Sequence, residues 1–483
     1  MKHVIISLFA ILLLACCTGY AQVYNVKDFG AVPDGKTINT KTIQRAFDTC
    51  SKNGGQVLIP AGVFLSGTLY LKSNVHIKIE PGGVLKGSAA FEDYPDNKVD
   101  YKNAFTHYPD GKQYPNKAFL FAEGAQNISI TGGGIIDGSG DSPAFQLGDD
   151  NTLASRTRPC LLLIIDSKKI RLSGIQLRNS AYWMQNYLGC DDLELRNLNI
   201  FNQSNYNQDG IDIDAKNVLI ENCTIDVDDD GICFKSHDRN RPVENVIVRN
   251  CTIASNCNAI KFGTMSLGGL KNLAVSNCII KKASADHIRQ WQKKLAFIEL
   301  PVTVISGIAL EAVDGAVVEN VSISNIQMKD VQTPIFIVLG KRGRKQPGEV
   351  GDAPVGKIRN VVIRNVTAVS HSKMSSSITA FPGAYVEGIV LQHISISGMG
   401  KGTLNEANLL LKEAPTDYPE NRMYGDVYPA SGLFIRHVNG ITLQSISLHL
   451  RNSDNRPAII LDDVINARLE SVTTDTSTKK KGS

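Results

Sequence analysis

At 483 residues, with 42% hydrophobic and 20% charged positions, the chain has room for two or three average domains or for one long repetitive one. Its formal net charge of +4 is matched by Lys2, Lys479, Lys480 and Lys481 at the two ends, which leaves the body neutral. That balance excludes a basic stripe for nucleic acid, and equally a field able to steer an acidic polymer from a distance.

The first stretch, "MKHVIISLFAILLLACCTGYAQ", has a basic start, an apolar run from Val4 to Ala15 and "GYA" before Gln22. It predicts a signal peptide over 1–21 and export to the periplasm or beyond the cell; "LLAC" ending at Cys16 also fits a lipoprotein box with lipid on Cys16. No later run has 18 consecutive apolar residues, so no transmembrane segment is expected. Next, "NTKTIQRAFDTCSKNGG" places Ile43, Ala46 and Phe47 at helical spacing before a Gly-Gly stop, which predicts a short N-terminal capping helix.

From Asn127 onward one pattern recurs. The clearest copies are "NVLIENCTI" from Asn217, "NVIVRNCTI" from Asn245, "NLAVSNCII" from Asn272, "NVSISNIQM" from Asn320 and "NVVIRNVTA" from Asn360. Each is two short alternating runs joined at Asn, which means strands, and a period in the twenties means a stacked array. The expected fold is all-β, a parallel β-helix forming one domain over 22–475. Asn222, Asn250, Asn277, Asn325 and Asn365 fall at one corner, where Asn tolerates a left-handed backbone. Cys223, Cys251 and Cys278 follow those corners and read as stacked core thiols. The eight cysteines after the leader show no C-x-x-C metal spacing. Inserts interrupt the rhythm at about 283–305, 341–356 and 400–430, and 476–483 reads as a disordered tail.

Three strands align in consecutive coils: "GIDID" at Gly210, "GICFK" at Gly231 and "AIKFG" at Ala259. Ile211, Ile213, Ile232, Phe234, Ile260 and Phe262 should point inward, and Asp212, Asp214, Cys233, Lys235 and Lys261 outward. Asp209, Asp229 and Asp230 then stand at the strand entrances, on neighbouring coils about 4.8 Å apart. Carboxylates so gathered suit glycoside hydrolysis, in which one protonated acid serves the leaving oxygen and one ionised acid activates water. Acids at strand ends that merely cap turns or bind calcium are the plainer alternative.

These motifs resemble glycoside hydrolase family 28, the polygalacturonase family, along almost the whole mature length. Asn207-Gln208-Asp209 is similar to its N-T-D motif, and Asp228-Asp229-Asp230 with "KS" at Lys235-Ser236 to its [GQ]-D-D motif. "NSAYWMQNYLGC" resembles its N-S-P-x-W stretch. The resemblance implies a right-handed, single-stranded, pectin-lyase-like β-helix and an inverting mechanism. Asp229 would be the general acid, with Asp209 and Asp230 sharing water activation, no metal and no cofactor. It implies a poly- or oligosaccharide partner, no nucleic acid, and a monomer.

Two departures stand out. The family's G-H-G motif falls at Cys257-Asn258-Ala259, putting Asn258 where a histidine is expected. Its R-I-K strand falls at Ala309-Leu310-Glu311, where Glu311 should repel a uronate carboxylate. That favours a neutral or mixed backbone of the rhamnogalacturonan type over plain homogalacturonan. Lys235, Lys261, Arg342 and Arg344 are candidate substitute cations or solvated charges, and Asn207, Asn258 and Glu311 join the lysines as substrate-binding candidates. Trp183 and Tyr187 could stack on sugars or pack between coils; His237 and His287 read as surface residues. A calcium-dependent pectate-lyase-like eliminase and a non-catalytic carbohydrate-binding β-helix remain the competing functions.

Overall fold

A computed structural model of the chain describes residues 22–103, 116–146, 157–284, 298–300 and 303–481. The leader over 1–21, and with it Cys16, lies outside them, as do His287 and parts of the first insert. Almost every described strand pairs in parallel with the equivalent strand one coil on, giving the expected right-handed parallel β-helix.

The core is built of columns. Ile211, Ile232, Ile260, Ile308 and Ile335 sit one above the next, each in direct register with its neighbour. Beside them run Ile213, Phe234, Phe262, Leu310 and Ile337, with the two phenylalanine rings 5.1 Å apart. All ten are buried, and burying each such side chain contributes about 1.5–3 kcal/mol. The alternation that fills these columns turns the residues between them outward, and that outer face carries the chemistry. Helix Thr40–Asn53 closes the N-terminal end, burying Ile43, Ala46, Phe47 and Cys50 against the first coils.

Two asparagine columns hold the turns. Asn222, Asn250, Asn277, Asn325 and Asn365 have φ between 55° and 58°, and Asn217, Asn245, Asn272, Asn320 and Asn360 have φ of 56° or 57°. In each column the side-chain amide donates to the Oδ1 of the asparagine below: Asn250 to Asn222 at 3.2 Å, Asn277 to Asn250 at 3.3 Å. The residues 217 to 360 form a second such column that the repeat alone did not mark as a corner. Asn250→Val puts a β-branched residue into the left-handed region and is expected to destabilise by about 1–3 kcal/mol, read as a lower denaturation midpoint. Asn250→Gly, which accepts that backbone, should cost less.

Cys223, Cys251 and Cys278 are buried, unbonded and stacked, as expected. The tail differs. Thr478–Lys481 forms a strand in register with Ile459–Asp462, because the exposed edge of the last long strand offers backbone partners that a charged sequence can still use. Among the described residues no helix is long and apolar enough to cross a membrane.

Candidate active site

The candidate site lies where three consecutive coils enter the strands of the outer face. Gly210 N donates to Asp230 O at 2.9 Å, and Gly231 N donates to Asn258 O at 2.8 Å. Asp209, Asp230 and Asn258 therefore occupy one position on three successive coils. Gln208, Asp229 and Cys257 occupy the position just before it. Gly210 and Gly231 are required here: a Cβ on either would stand 2.6 Å from the next coil's carbonyl oxygen, that of Gly231 and of Ala259 respectively. The two D-G-I steps thus let the acidic corners stack at close backbone approach.

Each carboxylate has its own surroundings. Asp230 accepts from Lys261 Nζ at 2.9 Å, and from the side chain and backbone N–H of Asn258 at 2.8 and 3.2 Å. Burial alone would raise its pKa, but the charges of Lys261 and Lys235 and these hydrogen bonds overcome that and hold it below the usual carboxylate value. Asp229, partly buried, has no such cation of its own. Burial, reinforced by the charge of Asp230, pushes it up to about 7. Adjacent residues in the chain thus hold a neutral acid and an ionised carboxylate side by side.

Asp209 shares one cation. Lys235 Nζ lies 3.3 Å from Asp209 and 2.6 Å from Asp212, and both carboxylates are buried. One ammonium cannot neutralise two buried anions, so burial, with the charge of Asp212, drives Asp209 well above its ordinary value. Asp212 is raised too, burial outweighing Lys235. Both lysines stay firmly protonated, since the facing carboxylates outweigh the burial that disfavours their charge.

The structure brings Asp209, Asp229, Asp230, Lys235, Asn258 and Lys261 together. Asn207 stands at the same turn, half-buried with φ 52°. Asn258 stands on the next coil's corner, where its side-chain amide donates to Asp230. Lys235 and Lys261 are inter-coil counter-ions rather than solvated charges. Oxygens of Asp229 and Asp230 and Cys257 Sγ lie within 4.8 Å of one another, a spacing that could take a metal ion. Lys261 already provides positive charge at that corner, and no metal is assigned.

Several expectations change. His237 is not a surface residue: it is 3% exposed, its Nδ1 3.0 Å from Asp214 Oδ2, because the outward row that carries Asp212 and Lys235 continues beneath the following loop. Tyr187 is buried in the core and does not face sugar. Trp183, 8% exposed, lies under Lys235, whose Nζ is 5.2 Å from its ring centroid. Arg342 is not a free cation, since it grips buried Asp314 and donates to Thr264 O at 2.7 Å. Arg344 bonds the same Asp314 through its backbone N–H, at 3.0 Å. Glu311 does not repel as an anion at neutral pH, because burial pushes its carboxyl up to about 8. Sequence reasoning missed Tyr418 entirely, and named Cys257 only as the residue before Asn258 without a place in the site. Asp212 was placed on the outer face but not in the site, although its alternation with Ile211 and Ile213 was the available signal.

Comparison with known proteins gives the family and the fold. Residues 50–293, just over half of the chain, match the family model described as glycosyl hydrolases family 28. An exo-poly-alpha-D-galacturonosidase of Dickeya chrysanthemi is 33% identical over 174 residues, 34% of this chain and 27% of that protein. A probable polygalacturonase of Vitis vinifera is 30% identical over 225 residues, 45% of each chain. The chain therefore spans less than half the length of these two relatives. The family 28 exopolygalacturonase structure from Yersinia enterocolitica superposes with a TM-score of 0.65 at 20% identity, covering 95% of this chain and 79% of that one, and shows the shared fold.

Proposed function

The chain belongs to the glycosyl hydrolases family 28, and from that premise we propose that it hydrolyses glycosidic bonds in galacturonate-containing pectic polysaccharide. The observation that carries this reading is the Asp229–Asp230 pair, one carboxyl near neutrality and its neighbour held ionised by Lys261. Asp229 gives its proton to the glycosidic oxygen as the bond from that oxygen to the anomeric carbon breaks. Asp230 takes a proton from water, whose oxygen forms the new bond to that carbon, and the leaving sugar departs with the hydroxyl. Asp209, one coil away and raised in pKa, holds the water and need not be its base. This assigns water activation to Asp230 more than to a shared pair.

The stereochemical outcome we infer is inversion. The nearest oxygens of Asp229 and Asp230 lie within 4.8 Å, closer than the roughly 6.5–9.5 Å usual for inverting carboxyl groups. In this reading the attacking water sits between the stacked corners of Asp230 and Asp209, one coil apart. Proton NMR of the first product should show the inverted anomer; a retained anomer would make one carboxylate a nucleophile and overturn the assignment.

Hydrolysis is also set apart from elimination. New reducing ends should appear from pectic fractions at a rate that a chelator leaves unchanged. An ultraviolet-absorbing unsaturated product that chelator abolishes would replace the hydrolase with a lyase. The leader motif supports an exported enzyme, acting on polymer outside the cytoplasm.

A further inference from the structure

We propose that Ser447, His449 and Asp475 form a second hydrolytic site, a Ser-His-Asp triad on the outer surface of the last coils that cleaves acetyl-type esters of hydroxyl groups. It does not depend on the glycosidase reading above. Ile435 continues the core column of Ile337 and Ile378, but the coil then turns at His437 and again at Ser445, with φ of 56° and 54°. Ser447 therefore lies on another face from the acidic corner.

Strand Leu433–Leu450 sends Ile446 and Leu448 into the core, so Ser447 and His449 share its outer face at the two-residue spacing of a strand. Ser447 Oγ is 2.7 Å from His449 Nε2, and His449 Nδ1 is 3.2 Å from Asp475 Oδ1. Asp475 follows strand Ile459–Thr474 on the next coil and is fixed by the Leu450 N–H, which donates to its Oδ2 at 2.7 Å. That bond, with the one from the imidazole, holds the Asp475 carboxyl below its usual value, so it is ionised and can only accept. Nδ1 therefore carries the ring proton, and Nε2 turns its lone pair to the Ser447 hydroxyl. Nucleophile, base and orienting acid stand in the order that acyl transfer needs.

The neighbouring coils supply the remaining parts. Ser395 and Thr473 pair with Ser447 from either side, which sets one hydroxyl about 4.8 Å above the nucleophile and one below it. Either can donate to the carbonyl oxygen as it becomes an anion. His449 and Asp475 also border a cavity of about 10 Å³, lined by Ile396, Gly398, Gly432 and Leu448. It has room for one water-sized group, which suits the methyl of an acetyl ester and excludes a longer chain. The side chains of His449 and Asp475 are 55% and 43% exposed, so an ester carried on a large molecule can reach them. Ser447 Oγ bonds to the acyl carbon as its proton passes to Nε2; the bond from that carbon to the alcohol oxygen breaks, and the alcohol leaves with the proton. Water then gives a proton to Nε2 and its oxygen bonds to the acyl carbon. The bond to Oγ breaks, the proton returns to Oγ, and the carboxylic acid departs.

Two measurements on the whole protein test this, hydrolysis of 4-nitrophenyl acetate and labelling by a fluorophosphonate read by mass spectrometry. The wild type should release nitrophenolate faster than free imidazole at the same concentration, and should carry a single phosphonyl group, on Ser447. Ser447→Ala and His449→Gln should each lower kcat/KM for the acetate by about a hundredfold or more. Asp475→Asn, which favours the wrong tautomer of the ring, should lower it by about tenfold or more. The octanoate ester should be cleaved more slowly than the acetate. A wild type no faster than imidazole, or a rate that Ser447→Ala leaves unchanged, overturns the triad. Labelling of a different serine overturns it without recourse to any variant, and preference for the octanoate overturns the acetyl assignment. Pectic hydrolysis should be unchanged in Ser447→Ala, so the two activities fail separately.

Discussion

Asp229→Asn is expected to lower kcat by about two to four orders of magnitude, the usual contribution of a positioned general acid. The amide keeps the size of a group that is already neutral below about pH 7, so substrate affinity there should change little. Two further readouts distinguish lost proton donation from lost structure. The wild-type rate should fall as pH rises through about 7, because a raised acid donates only while protonated, and this limb should be missing in the variant. An aryl glycoside whose leaving group departs without a proton should lose far less rate than the natural linkage. An unchanged rate on polymer would remove Asp229 from the role.

The second large effect concerns Lys261, which lies 2.9 Å from Asp230 and keeps it ionised. Lys261→Met leaves a buried carboxylate without its partner, a change that costs about 3–5 kcal/mol in comparable buried pairs. Asp230 should respond by taking up a proton. A carboxylate held low is active above its pKa and fails as pH falls through it, so loss of the cation moves the acid limb of kcat/KM to higher pH. At about pH 5 the variant should be slower by roughly a hundredfold or more. Lys261→Arg, which restores charge, should return the limb toward its original place. An acid limb unmoved by Lys261→Met would show that Asp230 is not the water-activating group.

The fold was legible because stacking repeats its own signal. Asn222, Asn250 and Asn277 recur for a backbone reason, and Ile211, Ile232 and Ile260 recur because each must cover its neighbour. The acidic corner was legible for the same cause, since D-G-I at 209–211 and 230–232 marks a shared angular position. What escaped has no period. Tyr418 and Glu420 reach Glu311 from an insert whose path no repeat predicts. The charge state of Glu311 and the pairing of His237 depend on burial, and a sequence gives composition around a residue but not the water excluded from it.

The asparagine columns carry one more consequence. Every member offers its neighbours the same amide, so Asn250 could bond Asn325 as readily as it bonds Asn222. Identical rungs strengthen a pile without telling which rung belongs on which. The order must come from winding itself, each turn laid on the one just made, and from side chains such as Lys235 and Lys261 that find their carboxylates only on particular neighbours. A misthreaded intermediate that skipped a turn would keep its amide bonds and lose its ion pairs, so fidelity of assembly and catalytic charge depend on the same few contacts.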